Sequence, residues 1–361
     1  MPLPFQNDDA ALRRQADEVL AQRKKHGLEN MVGDLQAVVV MTEPEHHQEA
    51  VAEFLRYTGL NVKESFQDQN VSACVLGCPG SADFLVCARK GGDNPFRQVN
   101  LHPKSSHLPN TRLETFVYTC PDLSRYAAIQ KARGKRFLTD GPVDFGPYLF
   151  LQTEPSAFTG NSLGFLQWKG PVGHYATSRS GPLGWSETKP GSAYTKNIFE
   201  LDHTATRVRA EDRDPAILEY MDYTNYDFDF AVYVDALNSI TNVARLPGAV
   251  YAQVFTSGIT PFVDLDNSGP TEKYISNYGT RVHHMAFRTE DIETTYQALI
   301  DDGMTFLVEL VGSREDGLKQ TFTRSSPYTL LVNEYIKRFD GFTGFFSKNN
   351  VTMLTAATEK Q

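Results

Sequence analysis

The 361-residue sequence contains four cysteines, Cys74, Cys78, Cys87 and Cys120, and each lies in or beside an apolar segment. Cys74 and Cys78 have no second pair at the spacing of a zinc finger, so a structural zinc site built from cysteines is not expected. The four are predicted to be buried free thiols, since disulfides are rare in the cytoplasm, where we place the protein.

The chain also lacks an excess of positive charge and any long apolar run. Its 35 Lys and Arg residues against 44 Asp and Glu residues give a formal net charge of −9. An acidic surface has nothing to neutralise on nucleic acid or an anionic membrane, so a small molecule is the expected partner. No apolar run approaches the roughly 20 residues of a membrane-spanning helix, and the first 27 residues lack the apolar region of a signal peptide. We therefore expect a cytoplasmic protein.

Signatures of several common enzyme classes are missing. The sequence contains no Walker loop, no GxSxG nucleophile elbow and no dinucleotide fingerprint. Residues 264–269, "DLDNSG", resemble the start of an EF-hand loop, but its twelfth position is Ile275, where a bidentate glutamate is needed. This stretch is predicted to be a turn, and calcium binding of that type is excluded.

The sequence does contain a pattern that occurs four times. The first copy has a buried strand at residues 34–43, an amphipathic helix at 46–59 that ends at a glycine, and three further strands. A looser copy of this β-α-β-β-β order begins at residue 113, and the same order begins again at residues 198 and 281. Such internal repeats decide the architecture, and two pairs of them predict an α+β protein whose two domains each form a cupped half-barrel sheet.

The repeats divide the chain into segments. Residues 1–30 are predicted to contain an amphipathic leading helix, residues 31–170 the N-terminal domain, and residues 198–361 the catalytic C-terminal domain. Residues 171–197 are rich in Gly, Pro, Ser and Thr without periodicity, which is typical of a linker between domains.

Two histidines occupy matching positions in the opening strands of the third and fourth repeats. When "FELDHTATRV" is aligned with "TRVHHMAFRT" by the alternation of the residues that follow the histidines, His203 matches His284. His283 precedes His284 directly. Successive side chains of a strand point to opposite faces, so the rings of His283 and His284 are predicted to point away from each other.

A carboxylate completes the candidate site. Glu334 follows an apolar run in the closing strand of the fourth repeat, where a buried carboxylate needs a partner. Together with His203 and His284 it would form a 2-His-1-carboxylate triad, which holds Fe(II) and leaves positions open for substrate and O₂. One negative ligand leaves a net charge near +1, which favours an anionic chelating substrate such as a 2-oxo acid. The alternatives are structural: hydrogen-bonded histidines, and Glu334 paired with Lys337 or Arg338.

The C-terminal half resembles the family of 4-hydroxyphenylpyruvate dioxygenase and 4-hydroxymandelate synthase, in the vicinal-oxygen-chelate superfamily, whose glyoxalase-like fold consists of paired β-α-β-β-β units. The matching stretches are "LDH" (201–203), "LNS" (237–239), "HHMAFRTEDI" (283–292), "KQTFT" (319–323), "NEYIKR" (333–338) and "GFTGFF" (341–346). The N-terminal half matches by layout only. It has no histidine in its opening strands, which implies a metal-free domain.

The resemblance implies that His203, His284 and Glu334 are the iron ligands. It implies an enzyme, in a homo-oligomer such as a dimer, that oxidatively decarboxylates a 2-oxo acid with O₂ and hydroxylates the same molecule. The 2-oxo acid is open between an aryl, a modified aromatic and an aliphatic one. Residues at positions that line the family's substrate pocket are Ser239, Gln320, Phe322 and, as an aromatic lid, Phe345 or Phe346.

The sequence departs from the family in three places. The family has glutamine where this chain has His283 and, in the preceding loop, Gly269, and the interval between His284 and Glu334 is shorter than in a typical dioxygenase. Two positions for His283 are open: the pocket rim, in contact with substrate, or the outer face of the sheet. The product is open between ring hydroxylation to homogentisate and benzylic hydroxylation to hydroxymandelate. An extradiol ring-cleaving dioxygenase and a non-enzymatic small-molecule-binding module are further alternatives.

Overall fold

The computed structural model of the protein describes residue 5 and residues 7–361. They form two eight-stranded mixed sheets, each built from two β-α-β-β-β units placed side by side. The predicted α+β architecture of paired repeats is thereby confirmed.

The N-terminal sheet follows helix α1 (Asp9–Lys25). Asp8 caps the start of this helix, and its side chain accepts hydrogen bonds from two backbone N–H groups of the first turn. The first unit comprises β1 (Leu35–Thr42), α2 (His47–Tyr57), β2 (Asn61–Gln67), β3 (Val71–Gly77) and β4 (Asp83–Arg89). The second unit comprises β5 (Arg112–Thr119), α3 (Leu123–Ala132), β6 (Val143–Asp144), β7 (Tyr148–Gln152) and β8 (Ser162–Trp168). The strand order is β2-β3-β4-β1-β5-β8-β7-β6.

The C-terminal sheet repeats this order. Its first unit comprises β9 (Ile198–Arg207), α4 (Arg213–Tyr223), β10 (Asp227–Val234), β11 (Ser239–Arg245) and β12 (Ala252–Ser257), and helix α5 (Pro270–Tyr278) follows. Its second unit comprises β13 (Arg281–Thr289), α6 (Ile292–Asp301), β14 (Val311–Ser313), β15 (Leu318–Phe322) and β16 (Val332–Arg338), before helix α7 (Lys348–Ala357). The strand order is β10-β11-β12-β9-β13-β16-β15-β14. The repeat pattern contained no signal for α5 and α7, which lie outside it.

The opening strand of every unit lies at the centre of its sheet. In the C-terminal sheet, β9 and β13 pair antiparallel with each other, and each has a parallel partner on its other side, β12 and β16. Central strands are covered on both faces, which explains why these segments are nearly continuous runs of buried residues. The candidate histidines are therefore brought to the middle of one sheet.

A shared core joins the two sheets. Phe84 of β4 stacks on Phe287 of β13 with ring centroids 5.8 Å apart, and the hydroxyls of Tyr118 and Tyr220 lie 2.8 Å apart. Residues 264–269 contain a turn in which the Asp264 carboxylate accepts two backbone N–H groups, as predicted. Among the described residues, no helix combines the length and apolar character needed to cross a bilayer.

Candidate metal centre

The pairing of three strands brings His203, His284 and Glu334 together. Ala286 of β13 lies opposite His203 of β9 on one side and opposite Glu334 of β16 on the other. His284 comes two residues before Ala286 and therefore faces the same side of the sheet. All three side chains are buried, with His203 and Glu334 at 0% exposure. Within the described part of the chain, they form the one group of three close metal-ligating side chains.

The three side chains present unsatisfied atoms to one another. Oε2 of Glu334 lies 3.3 Å from Nε2 of His203 and 3.3 Å from Nε2 of His284. Each of these atoms is buried without a hydrogen bond, which is costly in a closed interior. Cis ligands at about 2.1 Å from a metal are about 3 Å apart, so the spacing and the donor set fit a divalent cation.

His203 is oriented by a carboxylate. Its Nδ1 lies 2.8 Å from Oδ1 of Asp202, and Arg338 binds both oxygens of Asp202 through its two terminal nitrogens. A proton on Nδ1 leaves the lone pair of Nε2 for a metal, as in carboxylate–histidine–metal triads. Burial lowers the pKa of His203, but the carboxylates of Glu334 and Asp202 outweigh it and raise the pKa to about 9, so a metal that binds Nε2 must displace a proton from that atom.

The prediction that the rings of His283 and His284 point apart was wrong. Their Nδ1 atoms lie 2.8 Å apart, and both side chains are buried. The cause is a bulge: the pairing of β13 with β9 shifts between Val282 and His284, so His283 is an extra residue on its strand. A bulge interrupts the alternation of side chains and re-aims them. His283 is therefore turned toward His284, and its side chain is fully buried.

A chain of hydrogen bonds leads from His284 to Gln361. Nε2 of His283 lies 2.8 Å from Oε1 of Gln361, an amide oxygen that can only accept. His283 thus carries its proton on Nε2, and its Nδ1 accepts from Nδ1–H of His284. Nε2 of His284 is then unprotonated and free to bind a metal. Burial holds the pKa of both histidines well below the ordinary value, which keeps the rings neutral.

Gln320 holds the carboxylate of Glu334. Its Nε2 donates to Oε1 of Glu334 at 2.7 Å and to the carbonyl oxygen of Phe345 at 2.9 Å, while its Oε1 accepts from Asn350 at 3.1 Å. Both amide hydrogens are used. The structure thus places this predicted substrate residue behind the candidate metal ligand Glu334, where its amide group orients the carboxylate.

A cavity of about 20 Å³ adjoins His284. Phe322 and Phe346 line it, and the Phe322 ring centroid is 4.6 Å from that of His284. Phe345, the other predicted lid residue, lies edge-on to His203 with ring centroids 5.2 Å apart, and it also packs against the guanidinium groups of Arg245 and Arg338. This volume holds about one water molecule, so a substrate can enter only if the cavity walls move.

Ser239, predicted to line the substrate pocket, does not reach this cavity. It is buried, and its hydroxyl oxygen lies 3.4 Å from that of Thr271. Thr271 accepts a hydrogen bond from Arg207, which does line the cavity. Ser239 is therefore connected to the cavity through two other side chains.

The N-terminal sheet has different residues at the corresponding places. Matching the strand pairings places Ala37, Thr115 and Gly164 where the other sheet has His203, His284 and Glu334. The ring of Phe150 fills the space in front of Gly164, since a Cβ there would lie 2.8 Å from the ring. These three positions contain no imidazole and no carboxylate.

Sequence comparison identifies no relative: no protein-family model and no curated protein matches the chain. Solved structures do match. A triple mutant of 4-hydroxymandelate synthase from Streptomyces coelicolor superposes with a TM-score of 0.67 at 17% identity, covering 91% of this chain and 98% of that one. A fusion of a xylose isomerase-like TIM barrel and 4-hydroxyphenylpyruvate dioxygenase superposes with a TM-score of 0.61 at 14% identity over 91% of this chain, which spans about half (52%) of the fusion protein.

A third structure, the Mn(II)-bound glyoxalase from Novosphingobium aromaticivorans, has a TM-score of 0.50 at 10% identity and covers 86% of this chain and 83% of its own. At these identities the likeness establishes the fold and leaves the reaction open. The chain therefore has the two-domain vicinal-oxygen-chelate fold that the resemblance predicted.

Proposed function

We propose that the protein is a non-haem Fe(II) dioxygenase that oxidatively decarboxylates a 2-oxo acid and hydroxylates the same molecule. The observation that carries this proposal is the convergence of three buried, unsatisfied ligand atoms on His203, His284 and Glu334. In this proposal residues 198–361 form the catalytic domain and residues 31–170 a metal-free domain.

The donor set favours Fe(II). Two neutral imidazoles and one carboxylate on one face of a metal are the ligands of non-haem iron oxygenases, and they leave neighbouring positions open. When bound, Fe(II) supplies the electrons for O₂ activation and open positions for a chelating substrate. Glu334 contributes one negative charge, so the site keeps a net charge near +1 and attracts an anionic chelator.

The side chains of this protein position the ligands and exclude water. Asp202 and His283 set the protonation of the two ligand histidines, and Gln320 fixes the carboxylate. Phe322 and Phe346 form apolar walls beside the ligands. Water excluded by these walls cannot compete with the substrate for the site.

The cavity favours this reaction over extradiol ring cleavage. Ring cleavage would need a further histidine and a tyrosine beside the metal as acid–base groups. The described residues that line the cavity include no tyrosine, and both ring nitrogens of His283 are already hydrogen-bonded. Ring hydroxylation to a homogentisate-type product and benzylic hydroxylation to a hydroxymandelate-type product both remain within the proposal.

Oxygen consumption by Fe(II)-loaded protein with a panel of 2-oxo acids tests the proposal, with CO₂ release and product masses recorded. We expect equal amounts of O₂ consumed and CO₂ released. Both should be lost in His203→Ala and Glu334→Ala, which remove ligands, and kept in His174→Ala, whose half-exposed ring is paired with Glu64. A yellow ring-fission product from a catechol would indicate extradiol cleavage instead. A binding module would be indicated if the protein does not bind iron and if His203→Ala and Glu334→Ala bind small molecules as the unaltered protein does.

A further inference from the structure

The cavity beside the candidate metal centre contains a buried cation. Arg207 is the last residue of β9 and is 2% exposed. It stands four residues after His203, so the alternation of the strand places both side chains on the same face of the sheet. Arg207 lines the cavity together with His284 and Phe346.

Arg207 has little to bind within the protein. Nη1 donates to the hydroxyl of Thr271 at 2.7 Å, and Nε is buried without a hydrogen bond. The guanidinium carbon lies 6.0 Å from the ring centroid of Tyr274. Among the described residues, no Asp or Glu forms an ion pair with it. Burial lowers the pKa of Arg207 to about 10, which still leaves the group charged at neutral pH.

Another buried arginine of the same domain has carboxylate partners within the chain. Arg213 is also fully buried, and it forms ion pairs with Asp9 and Asp214 and a hydrogen bond to Tyr233. A buried charge without such partners is costly unless a bound anion supplies them. Arg207 is therefore a buried cation on the cavity wall, where a bound anion would supply the missing partner.

We propose that Arg207 binds a second anionic group on the substrate, so that the substrate class is a 2-oxo acid with a carboxylate at its far end. The inference rests on the proposed function. The metal centre, with a net charge near +1, would take the 2-oxo acid end, and Arg207 would take the distal carboxylate. The guanidinium fork matches a carboxylate with two hydrogen bonds.

The spacing agrees with a short molecule. Ala205 lies opposite His284 in the ladder, and Arg207 comes two residues further, about 7 Å along the strand. A 2-oxo acid of about five or six carbons can bridge that distance. Within the proposed function, this assignment therefore selects an aliphatic substrate over the aryl substrates of ring or benzylic hydroxylation. The cavity wall includes Val254, Phe322 and Leu354, which suit the methylene groups of such a chain, and it also includes the threonines Thr241, Thr256 and Thr355.

Anaerobic binding to the Fe(II)-loaded protein tests this assignment. The ligands are 2-oxoglutarate, 2-oxoadipate and 5-methyl-2-oxohexanoate, in which an isopropyl group replaces the distal carboxylate of 2-oxoglutarate. Binding is measured by calorimetry and by the visible charge-transfer absorption of a chelated 2-oxo acid. We expect a dicarboxylate to bind about 10- to 100-fold more tightly than the isopropyl analogue, as charged hydrogen bonds imply.

The Arg207→Met variant should lose this preference, because dicarboxylate binding weakens while binding of the isopropyl analogue and the iron content stay unchanged. Arg207→Lys should keep part of it, because an ammonium cannot form the fork. If Arg207→Met does not fold, the binding preference of Arg207→Lys tests the assignment in its place. Equal binding of the analogue and both dicarboxylates by the unaltered protein, or a preference that survives in both variants, overturns the assignment and leaves the proposed function standing. If none of the three ligands chelates the iron, the assignment fails, and oxygen consumption with the panel of 2-oxo acids decides separately whether the proposed function stands.

Discussion

Replacement of His283 by phenylalanine should weaken metal binding although His283 is not itself a ligand. The substitution keeps a ring of similar size in the buried site but removes the acceptor for Nδ1–H of His284. The His284 ring then loses the contact that selects its tautomer and orientation. His284 can reverse its protonation or rotate, and either change takes the lone pair of Nε2 away from the metal.

The size of the effect follows from the contacts. A buried N–H left without its acceptor costs about 1–3 kcal/mol, and loss of partners behind metal ligands typically lowers metal affinity 10- to 100-fold. We expect the dissociation constant for Co(II) or Fe(II), measured by competition with a chelator under anaerobic conditions, to rise by that factor in His283→Phe. Circular dichroism spectra should match those of the unaltered protein.

His283→Gln is the matched control. A glutamine can accept from His284 with its oxygen and donate to Gln361 with its nitrogen, in the same directions as the histidine. Metal affinity should therefore return to within a few-fold of the original. Equal affinity in the phenylalanine variant and the unaltered protein would refute the reasoning, and so would a glutamine variant as weak as the phenylalanine variant.

Three further predictions concern the support of the site and of the fold. Gln320→Met should weaken metal binding about tenfold in the same competition assay, because Glu334 loses its orienting hydrogen bond. Burial raises the pKa of Glu272 from 4.5 to about 7, so the folded protein holds this proton more tightly than the unfolded chain does. The resulting contribution to the free energy of unfolding is complete below pH 4.5 and is lost as the pH rises through 7, by up to about 3 kcal/mol. Glu272→Gln keeps an oxygen that accepts two backbone N–H groups, and urea unfolding at pH 5 and pH 8 should show that the decline disappears. Arg213→Met should lower the free energy of unfolding by about 1–3 kcal/mol, because two carboxylates lose their cation, whereas Arg207→Met should not.

Local periodicity was sufficient for the architecture because each repeat has the same alternation of buried and exposed positions. That pattern predicted the four units and, through equivalent strand positions, selected His203 and His284. A buried carboxylate in an apolar strand pointed to Glu334. Strand pairing then brings these three residues together, since equivalent strands lie adjacent at the centre of the sheet.

Other features of the site had no signal along the chain. Asp202 adjoins His203 in the sequence, and that proximity could have identified it, but the contact of Gln320 with Glu334 depends on how β15 pairs with β16. The contact between Gln361 and His283 joins residues that are far apart in the chain. Such contacts are set by packing, which a periodic pattern does not contain.

By itself, the sequence determined the fold class and the side chains that meet at the centre of the second sheet, because alternation and repetition are local properties of strands. Only the tertiary structure decided the direction of the His283 ring, because a bulge arises from the pairing of two strands and reverses the local alternation. It also decided that Arg207 lies buried beside the cavity without an ion-pair partner among the described residues, because a counter-ion is supplied by neighbours in space, whatever their position in the chain.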